Sequence, residues 1–443
     1  MVQRSKAEFD KLVADAIVLH KAGRLRDAEV SYRAALDISP GQPVATHNLG
    51  VVVAAQGRHS EAIGHFDEAI AAEPQYASAH YNRAVALEAI GRTRDAIQAF
   101  SRVCAIEPEH YGSHRALGFL WLAEGERGRA LDHLSRTYEL RRGDDRTGIA
   151  DGSLTTTTRS KLLHDAAQFR YLAGRRRGGE RFEMTAQAYE AVARDVADDA
   201  QRLSDAQFHM LGEDYNTAIN VRAAPELADG AVSIRPDREE LVRRFREGPA
   251  GVVYFDDLLT PQALASLKRY LLESTIWHDF SHIGGFVASY LEDGLACPLL
   301  LQIAGELRAT FPELLGPHPL SQAWAFKALE SRAAVGAHAD DAAVSVNFWV
   351  TPTEANLDPE RGGLAVCRVP PPSDWEVSGY HSDKDRVVAF LAQKADDMLV
   401  VPYRENRAVL FQSRLFHQSD APQFAEGYEN HRINLTLLFG RHS

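Results

Sequence analysis

Residues 45–74 have the sequence ATHNLGVVVAAQGRHSEAIGHFDEAIAAEP, and this stretch decides the fold of the N-terminal third. Residues 79–108, AHYNRAVALEAIGRTRDAIQAFSRVCAIEP, repeat its pattern of small, aromatic and helix-ending residues 34 positions later. Four columns of residues keep this step along the chain: Gly23, Gly57, Gly91 and Gly125; Ala28, Ala62, Ala96 and Ala130; Tyr32, Phe66, Phe100 and Leu134; Pro40, Pro74 and Pro108. A fixed period of this length predicts a stack of similar supersecondary units.

Each unit is predicted to be a pair of helices. Gly57 and its equivalents lie at the turn, small residues such as Gly50 let the paired helices approach closely, and a proline ends the second helix. The pattern resembles the tetratricopeptide repeat over residues 9–145, with Arg142 in place of the proline in the last unit. The resemblance implies an α-solenoid whose curved surface binds peptides or other proteins.

Two sets of equivalent positions are expected to line the concave side of this solenoid. Asn48 and Asn82 lie one repeat apart, and an amide that both donates and accepts hydrogen bonds suits a peptide backbone. Tyr81, with His47 and Arg115, forms the second set. The alternative is that each asparagine bonds only a neighbouring helix.

Composition limits the classes of function. The 443 residues predict two or three domains, and the net charge of -12 argues against binding nucleic acid through its phosphates. No stretch is long and apolar enough to span a membrane, and the N-terminus lacks the apolar core of a secretory signal. The three cysteines are widely separated, so we expect no disulfide framework and a cytoplasmic protein.

The residue pattern changes twice along the chain, first when the 34-residue period ends and again when strand-like segments begin. These changes predict an α + β multidomain protein. Residues 1–145 are assigned to the tetratricopeptide-repeat domain, residues 146–235 to a helical bridge, and residues 236–443 to a catalytic domain. Short strand-like segments with even spacing in the last part favour a jelly roll or barrel. In its final segment, apolar residues alternate with Arg432, Asn434 and Thr436, so one face of the strand is polar.

Three residues in the last part have the types and spacing of a metal site. His338 and Asp340 are two residues apart, which places both on one face of a strand, and His417 follows a later strand. Two neutral imidazoles and one carboxylate form the facial triad of non-haem Fe(II) oxygenases, which leaves positions open for a co-substrate and O2. The guanidinium of Arg432 suits the distal carboxylate of 2-oxoglutarate.

Residues 251–443 resemble a 2-oxoglutarate/Fe(II)-dependent dioxygenase of the prolyl-hydroxylase and phytanoyl-hydroxylase type. The similar stretches are HADDAAVSVNFWVTPTEANLDPERGGLAV, VPYRENRAVLFQSRLFHQSD and HRINLTLLFG. The resemblance implies a double-stranded β-helix (jelly roll), with His338, Asp340 and His417 as ligands of Fe(II) and Arg432 as the 2-oxoglutarate anchor. Asn434, Asn347 and Trp349 are expected near this pocket, although Trp349 suits a core position equally well.

The implied activity is hydroxylation of an unactivated C–H bond with O2 and 2-oxoglutarate, on a protein, peptide or carrier-tethered substrate recognised by the repeats. Three alternatives stay open: a hydroxylase of a free small molecule whose repeats serve assembly, a non-catalytic interaction scaffold, and a barrel that uses another metal. The long polar loop at 370–395, with His381, is equally consistent with a substrate lid and with a surface excursion. The sequence does not decide the oligomeric state.

Overall fold

In the computed structural model, the N-terminal third consists of helices, and the first six of them pack in consecutive pairs. The helices are Val2–Lys21 (α1), Leu25–Ile38 (α2), Pro43–Ala55 (α3), His59–Ala72 (α4), Ala77–Ala89 (α5), Thr93–Ile106 (α6), Tyr111–Ala123 (α7) and Arg127–Arg142 (α8). One pair of helices therefore corresponds to one 34-residue unit, as the sequence predicts.

The repeated spacing of 34 residues has a steric cause, which is visible in helices α3 and α4. Gly57 connects α3 to α4 with φ of 80°, a left-handed conformation that glycine adopts without a steric penalty. A Cβ atom added at Gly50 would lie 2.7 Å from the ring of Phe66. The small column and the aromatic column thus pack directly on each other, which explains why they share one period.

The structure describes residues 2–143, 152–175, 179–233, 237–248, 251–281, 285–330, 333–372, 375 and 384–441. The predicted domain boundaries at 145/146 and 235/236 lie outside the described residues, as does His381, so these remain predictions. Contacts divide the chain into two compact units, Met1–Leu120 and Trp121–Ser443. Among the described residues, no helix has both the length and the apolar character needed to cross a membrane.

Helix α8, the second helix of the fourth repeat, belongs to the C-terminal unit and is bonded into it. The Arg142 side chain is 1% exposed and pairs with the buried Asp293, with Nε 2.9 Å from Oδ1. The hydroxyl of Tyr138 lies 2.9 Å from Nε2 of His278. Arg142 is the residue that departs from the repeat pattern, and its departure supplies this buried ion pair.

Further helices and two short strands follow α8. They are Thr156–Thr157 (β1), Arg159–Ala173 (α9), Glu180–Ala193 (α10), Gln201–Arg202 (β2), Asp205–Leu211 (α11) and Arg238–Glu247 (α12). Helices α9 and α10 pack against each other around a core that contains Phe169 and Tyr189. The side chain of Thr158 caps α9 by accepting a hydrogen bond from the backbone of Lys161.

The C-terminal part contains two antiparallel sheets and three longer helices. The strands are Val252–Phe255 (β3), Phe286–Tyr290 (β4), Leu320–Ala328 (β5), Val344–Trp349 (β6), Leu364–Cys367 (β7), Met398–Val401 (β8), Ala408–Gln412 (β9), His417–Ser419 (β10) and Ile433–Phe439 (β11). The helices are Pro261–Glu273 (α13), Pro298–Thr310 (α14) and Lys384–Gln393 (α15). One sheet has six strands in the order β3-β9-β6-β11-β5-β4, and the other has three in the order β10-β7-β8.

The three-stranded sheet packs on one part of the inner face of the six-stranded sheet. Their shared core joins Trp349 and Val409 of the larger sheet with Leu364 and Val401 of the smaller sheet. The inner face continues beyond this core along β11, β5 and β4, where Asn434, Phe326 and Ala288 lie in one row. This remaining part of the inner face positions the candidate site.

Candidate metal centre

Two backbone segments bring the predicted ligands together. His338 and His417 form an isolated antiparallel bridge, in which each backbone N–H donates to the carbonyl of the other at 3.0 and 2.9 Å. The backbone N–H of Asp340 donates to the carbonyl of Ser413 at 2.9 Å. The two-residue spacing of His338 and Asp340 therefore presents both side chains toward His417.

The three side chains have the separations of a metal-ligand set. Nε2 of His338 lies 3.7 Å from Oδ1 of Asp340, and Nε2 of His417 lies 3.6 Å from Oδ2 of the same carboxylate. One ligand atom from each residue lies within 4.8 Å of the other two. Two imidazole nitrogens and one carboxylate oxygen in this arrangement are the donor set that suits non-haem Fe(II).

A hydrogen bond at Nδ1 orients each of the two imidazoles and leaves its Nε2 available as a metal ligand. Nδ1 of His338 is 2.9 Å from the carbonyl oxygen of Gly336, and Nδ1 of His417 is 3.0 Å from that of Leu415. A carbonyl accepts, so each Nδ1 carries the proton and each Nε2 presents its lone pair, as metal ligation requires. Burial, together with the nearby His338, lowers the pKa of His417 to about 4, which keeps this imidazole neutral at physiological pH.

Two serines orient the carboxylate ligand, and the sequence analysis did not identify them as site residues. The Ser345 hydroxyl donates to Oδ2 of Asp340 at 2.6 Å and lies 2.8 Å from the Ser413 hydroxyl. Ser345 lies on the polar side of the alternating strand β6, which is the signal that could have identified it. Ser413 lies in a turn after β9, and its position depends on the tertiary fold.

A small inner cavity adjoins the triad and has polar groups that lack partners. It is lined by His338 and His417 together with Asn347, Arg432 and Asn434. Within the described residues, Oδ1 of Asn347, Oδ1 of Asn434 and Nε of Arg432 are buried without a hydrogen-bond partner. Buried polar atoms are normally paired, so these three indicate a polar ligand.

Arg432 is the cation of this cavity, as the sequence predicts. It is 2% exposed, and its two terminal nitrogens donate to the Ser419 hydroxyl at 3.3 Å and to the Gly363 carbonyl at 3.1 Å. Both acceptors are neutral, so the charge of the guanidinium is not balanced by them. The inner cavity measures about 20 Å³, so a dicarboxylate reaches Arg432 only if surrounding side chains rotate and widen it.

A much larger cavity of about 740 Å³ opens on the other side of His338 and Asp340. Its lining is mainly apolar and includes Tyr290, Trp324 and Phe326 from the six-stranded sheet. The triad therefore lies between a polar inner cavity and an apolar outer cavity. A bound metal at the triad would be accessible from both.

The other predicted residues have different surroundings. Trp349 lies in the core shared by the two sheets, with the centre of its ring 5.9 Å from Cζ of Arg432, so it supports the site from the core and does not line the inner cavity. In the repeats, Nδ2 of Asn82 lies 2.8 Å from Nε2 of His47, on the preceding repeat. Oδ1 of Asn48 lies 3.2 Å from Nδ1 of the same imidazole. Tyr81 packs edge-on against Phe100.

Asn82 therefore bonds a neighbouring helix, as the alternative proposes, whereas this contact of Asn48 lies within its own helix α3. His47 connects the two predicted positions, Asn48 and Asn82, into one network within the repeats. Their contact with a peptide stays a prediction.

Comparison with known proteins identifies the repeats. Residues 47–111 match the family model of the tetratricopeptide repeat, so this region contains tetratricopeptide repeats. No curated protein matches the chain. Similar solved structures include MamA from Desulfovibrio magneticus RS-1, with 23% identity over 31% of this chain and 77% of that chain and a TM-score of 0.30.

Two other similar structures are also repeat proteins. The first TPR of Spaghetti (RPAP3), bound to an HSP90 peptide, has 21% identity over 27% of this chain and 94% of that chain, with a TM-score of 0.27. A tetratricopeptide repeat protein from Parabacteroides merdae ATCC 43184 has 19% identity over 42% of this chain and 76% of that chain, with a TM-score of 0.30. At these values the likenesses carry no conclusion about function, which must come from the site.

Proposed function

We propose that the chain is an Fe(II)- and 2-oxoglutarate-dependent oxygenase whose C-terminal sheets form a double-stranded β-helix. The observation that supports it best is the convergence of His338, Asp340 and His417 beside a cavity that is lined by the buried cation of Arg432. A metal site alone would suit several chemistries. The combination with a buried guanidinium favours a co-substrate that has both a chelating end and a distal carboxylate.

Each residue would have a separate role in such a site. His338, Asp340 and His417 would hold the metal, and Ser345 would keep the Asp340 carboxylate oriented by donating to it. When bound, Fe(II) with 2-oxoglutarate would supply the oxidising chemistry that amino-acid side chains lack. Arg432 would bind the distal carboxylate and exclude competing water from the inner cavity.

The unpaired amide oxygens of Asn347 and Asn434 offer hydrogen-bond acceptors beside Arg432. The Nδ2 of Asn347 is already fixed, since it donates to the Thr436 hydroxyl at 2.9 Å. This bond determines which end of the amide faces the cavity. A water molecule or a protonated group of the ligand would satisfy the unpaired Oδ1.

The repeats add a second element to the proposal. Tetratricopeptide repeats stack into surfaces that bind peptides or proteins. We propose that this surface recruits a protein, peptide or carrier-tethered substrate. A purely interaction-based scaffold is the second candidate, because the family match covers the repeats and the repeats alone account for such a role.

The test is a titration of the full chain under anaerobic conditions. Fe(II) is added first, then 2-oxoglutarate, while a metal-to-ligand charge-transfer band is followed in the visible spectrum. O2 is then admitted and succinate is measured. We expect the band, followed by succinate in the absence of added substrate.

His417→Ala should abolish both signals while circular dichroism stays that of the unaltered chain, because it removes one of three ligands. His209→Ala is the matched control, since His209 is an exposed histidine on α11 and away from the triad. A folded, iron-loaded chain that gives neither band nor succinate would refute the oxygenase and leave the scaffold as the function.

A further inference from the structure

Helix α15 lies within the stretch 370–395, which the sequence pattern predicts to be a long polar loop. We propose that this helix positions the metal ligands, because its buried face packs against residues that alternate with them along the backbone. Val387 and Phe390 are the positioning residues. The inference rests on the proposed metal site, and it means that metal binding and the docking of α15 stabilise each other.

The first observation is that two of the three ligands lie outside the regular strands. His338 and Asp340 belong to the segment between β5 and β6. Their backbone N–H groups donate to the carbonyls of His417 and Ser413, which fixes the segment at two points. Metal ligands bind tightly only when the surrounding structure holds them close to the binding geometry, so packing around this segment matters as well.

The second observation is that the neighbours of the ligands are buried in one hydrophobic cluster. Ala339 lies between the two ligands of this segment and is 1% exposed, and Phe416 directly precedes His417 and is fully buried. Both belong to a core cluster that also contains Val387 of α15. Because adjacent side chains of an extended backbone point to opposite sides, Ala339 and Phe416 pack into this cluster while the ligands face the metal site.

The third observation is a direct ring contact between α15 and the residue beside His417. The ring centres of Phe390 and Phe416 are 5.8 Å apart, and the rings meet edge-on at 63°. The ring of Trp375 lies 5.7 Å from that of Phe390 and 6.2 Å from that of Phe416. The backbone carbonyl of Phe416 accepts a hydrogen bond from the N–H of Cys367 at 2.8 Å. The residue before the third ligand is therefore held by β7 through its backbone and by α15 through its ring.

Burial along α15 shows which face of the helix makes these contacts. Val387 is 3% exposed, and Phe390 and Leu391, three and four positions later, are partly buried. Val388 points away from this face and is 61% exposed. A helix of 10 residues has little stability by itself, so α15 depends on docking its apolar face onto the cluster. The helix and the ligand segment thus depend on the same contacts.

The consequence is a thermodynamic link between α15 and the metal site. When the three ligands hold a metal, they restrain the segment that carries Ala339 and so favour the docked helix. The docked helix in turn favours metal binding. Such coupling is reciprocal, so it is measurable in both directions. Loss of a group that orients metal ligands typically weakens metal binding by about 10- to 100-fold.

The first experiment measures the affinity of the full chain for Mn(II) by EPR, in which ligation broadens the signal of free Mn(II). Val387→Ala and Phe390→Ala should each raise the Kd for Mn(II) about tenfold or more, while circular dichroism stays that of the unaltered chain. Phe390→Leu should restore most of the affinity, since it keeps most of the apolar volume. Val388→Ala is the matched control, because it makes the same substitution at the next, exposed position of the helix. It should leave the Kd unchanged.

The second experiment measures the reverse direction by hydrogen–deuterium exchange of residues 384–393. Saturating Mn(II) should slow exchange of these amides in the unaltered chain, because it favours the docked helix. Mn(II) should have no such effect in His417→Ala, which lacks one of the three ligands. This measurement needs no substitution in α15, so it tests the inference even if Val387→Ala and Phe390→Ala fold poorly.

Either of two results would overturn the inference: a Kd for Mn(II) that both alanine variants leave unchanged, or exchange of residues 384–393 that Mn(II) does not alter. An equal rise of the Kd in Val388→Ala would overturn it too, since the effect would then not come from the buried face. Succinate formation without this coupling would refute the inference alone. Coupled Mn(II) binding without the charge-transfer band and succinate would refute the oxygenase alone, and failure to bind Mn(II) would refute both.

Discussion

At the scale of single residues, Arg432 is the side chain whose burial most needs an explanation. It is 2% exposed and donates to a hydroxyl and a carbonyl, while its Nε has no partner among the described residues. Burial lowers the pKa of its guanidinium to about 10. The charge of Asp420 partly offsets this effect, but its carboxylate pairs with Arg361 and not with Arg432, so the buried cation still favours an anionic ligand.

Arg432→Ala should therefore raise the 2-oxoglutarate concentration needed for half-maximal succinate formation by about a hundredfold, as expected for loss of a charge-assisted pair. Fe(II) binding should be unchanged, because the three ligands remain. Arg432→Lys should recover part of the loss, since it restores the charge without the two-pronged geometry. If the unaltered chain and both variants need the same 2-oxoglutarate concentration, a residue other than Arg432 binds the distal carboxylate.

Arg142 is the second informative residue. Its guanidinium donates to both oxygens of Asp293, at 2.9 and 3.1 Å, and also to the hydroxyl of Ser153 at 2.9 Å. The proline that occupies this position in the other repeats has no side-chain donor, so it could form none of these bonds. The residue that departs from the sequence pattern is thus the one that holds α8 within the C-terminal unit.

Arg142→Ala should lower the free energy of unfolding of the C-terminal unit by about 3 kcal/mol, because it removes the guanidinium that bonds both oxygens of the buried Asp293 and leaves only Arg141, whose Nη1 is 3.5 Å from Oδ2. Urea denaturation followed by tryptophan fluorescence measures this change. Arg136→Ala is the control, since Arg136 and Glu139 form a more exposed pair on the same helix. Arg136→Ala should lower the free energy of unfolding by no more than about 1 kcal/mol. An equal loss in the two variants would contradict the role of Arg142.

At the scale of elements, α2, α3 and α4 are connected through one carboxylate. Glu29 on α2 accepts hydrogen bonds from Arg33, from Gln56 at the end of α3, and from Arg58 at the start of α4. Burial by itself would raise the pKa of Glu29, but these donors outweigh it and lower the pKa from 4.5 to about 2. The contact joins the first two repeats and depends on the charge of Glu29.

The sign of the pH effect follows from the lowered pKa. Glu29 stabilises the folded repeats fully above its ordinary pKa of 4.5, and this contribution is lost as the pH falls toward 2. The Tm of the repeats should therefore fall more steeply from about pH 5 to about pH 3 in the unaltered chain than in Glu29→Gln. Differential scanning calorimetry measures both slopes. Asp95→Asn, in a partly exposed pair with Arg92, serves as the control and should keep the steep slope.

Helix α8 also supports an edge of the six-stranded sheet. Tyr138 contacts His278, and the next residue, Asp279, forms an antiparallel bridge with Ala288 of β4. Asp293, the partner of Arg142, follows β4 after three residues. Both flanks of the strand that carries Tyr290 into the outer cavity are therefore attached to α8.

At the scale of the whole molecule, the repeats extend past the boundary between the two compact units. The compact units meet between residues 120 and 121, so the last repeat helix lies within the C-terminal unit. Removal of residues 1–109 should leave a folded protein that still forms succinate. Removal of residues 1–145 should prevent folding, because it removes α8 with Tyr138 and Arg142.

Expression of both truncated chains, with circular dichroism and succinate measured on each, distinguishes these outcomes. The comparison is matched because both chains lack the first three repeats and differ only in the fourth. A folded, active chain that begins at residue 146 would show that α8 is dispensable.

The sequence by itself determined the features that depend on local spacing. A period of 34 residues defines the helix pairs, because each unit must bury the same small and aromatic residues against its neighbour. Two-residue spacing placed His338 and Asp340 on one side, and strand alternation placed Arg432 and Asn434 on a shared face. These inferences needed only the geometry of helices and strands.

Only the tertiary structure decided the features that depend on distant pairing. Asp293 is separated by 151 residues from Arg142, so no local pattern could connect them. Alternation correctly placed Trp349 on the face of Asn347, but the smaller sheet covers that position and makes it core. Trp324 and Phe326 on β5 stay partly exposed and line the outer cavity, which depends on the packing of segments far apart in the sequence.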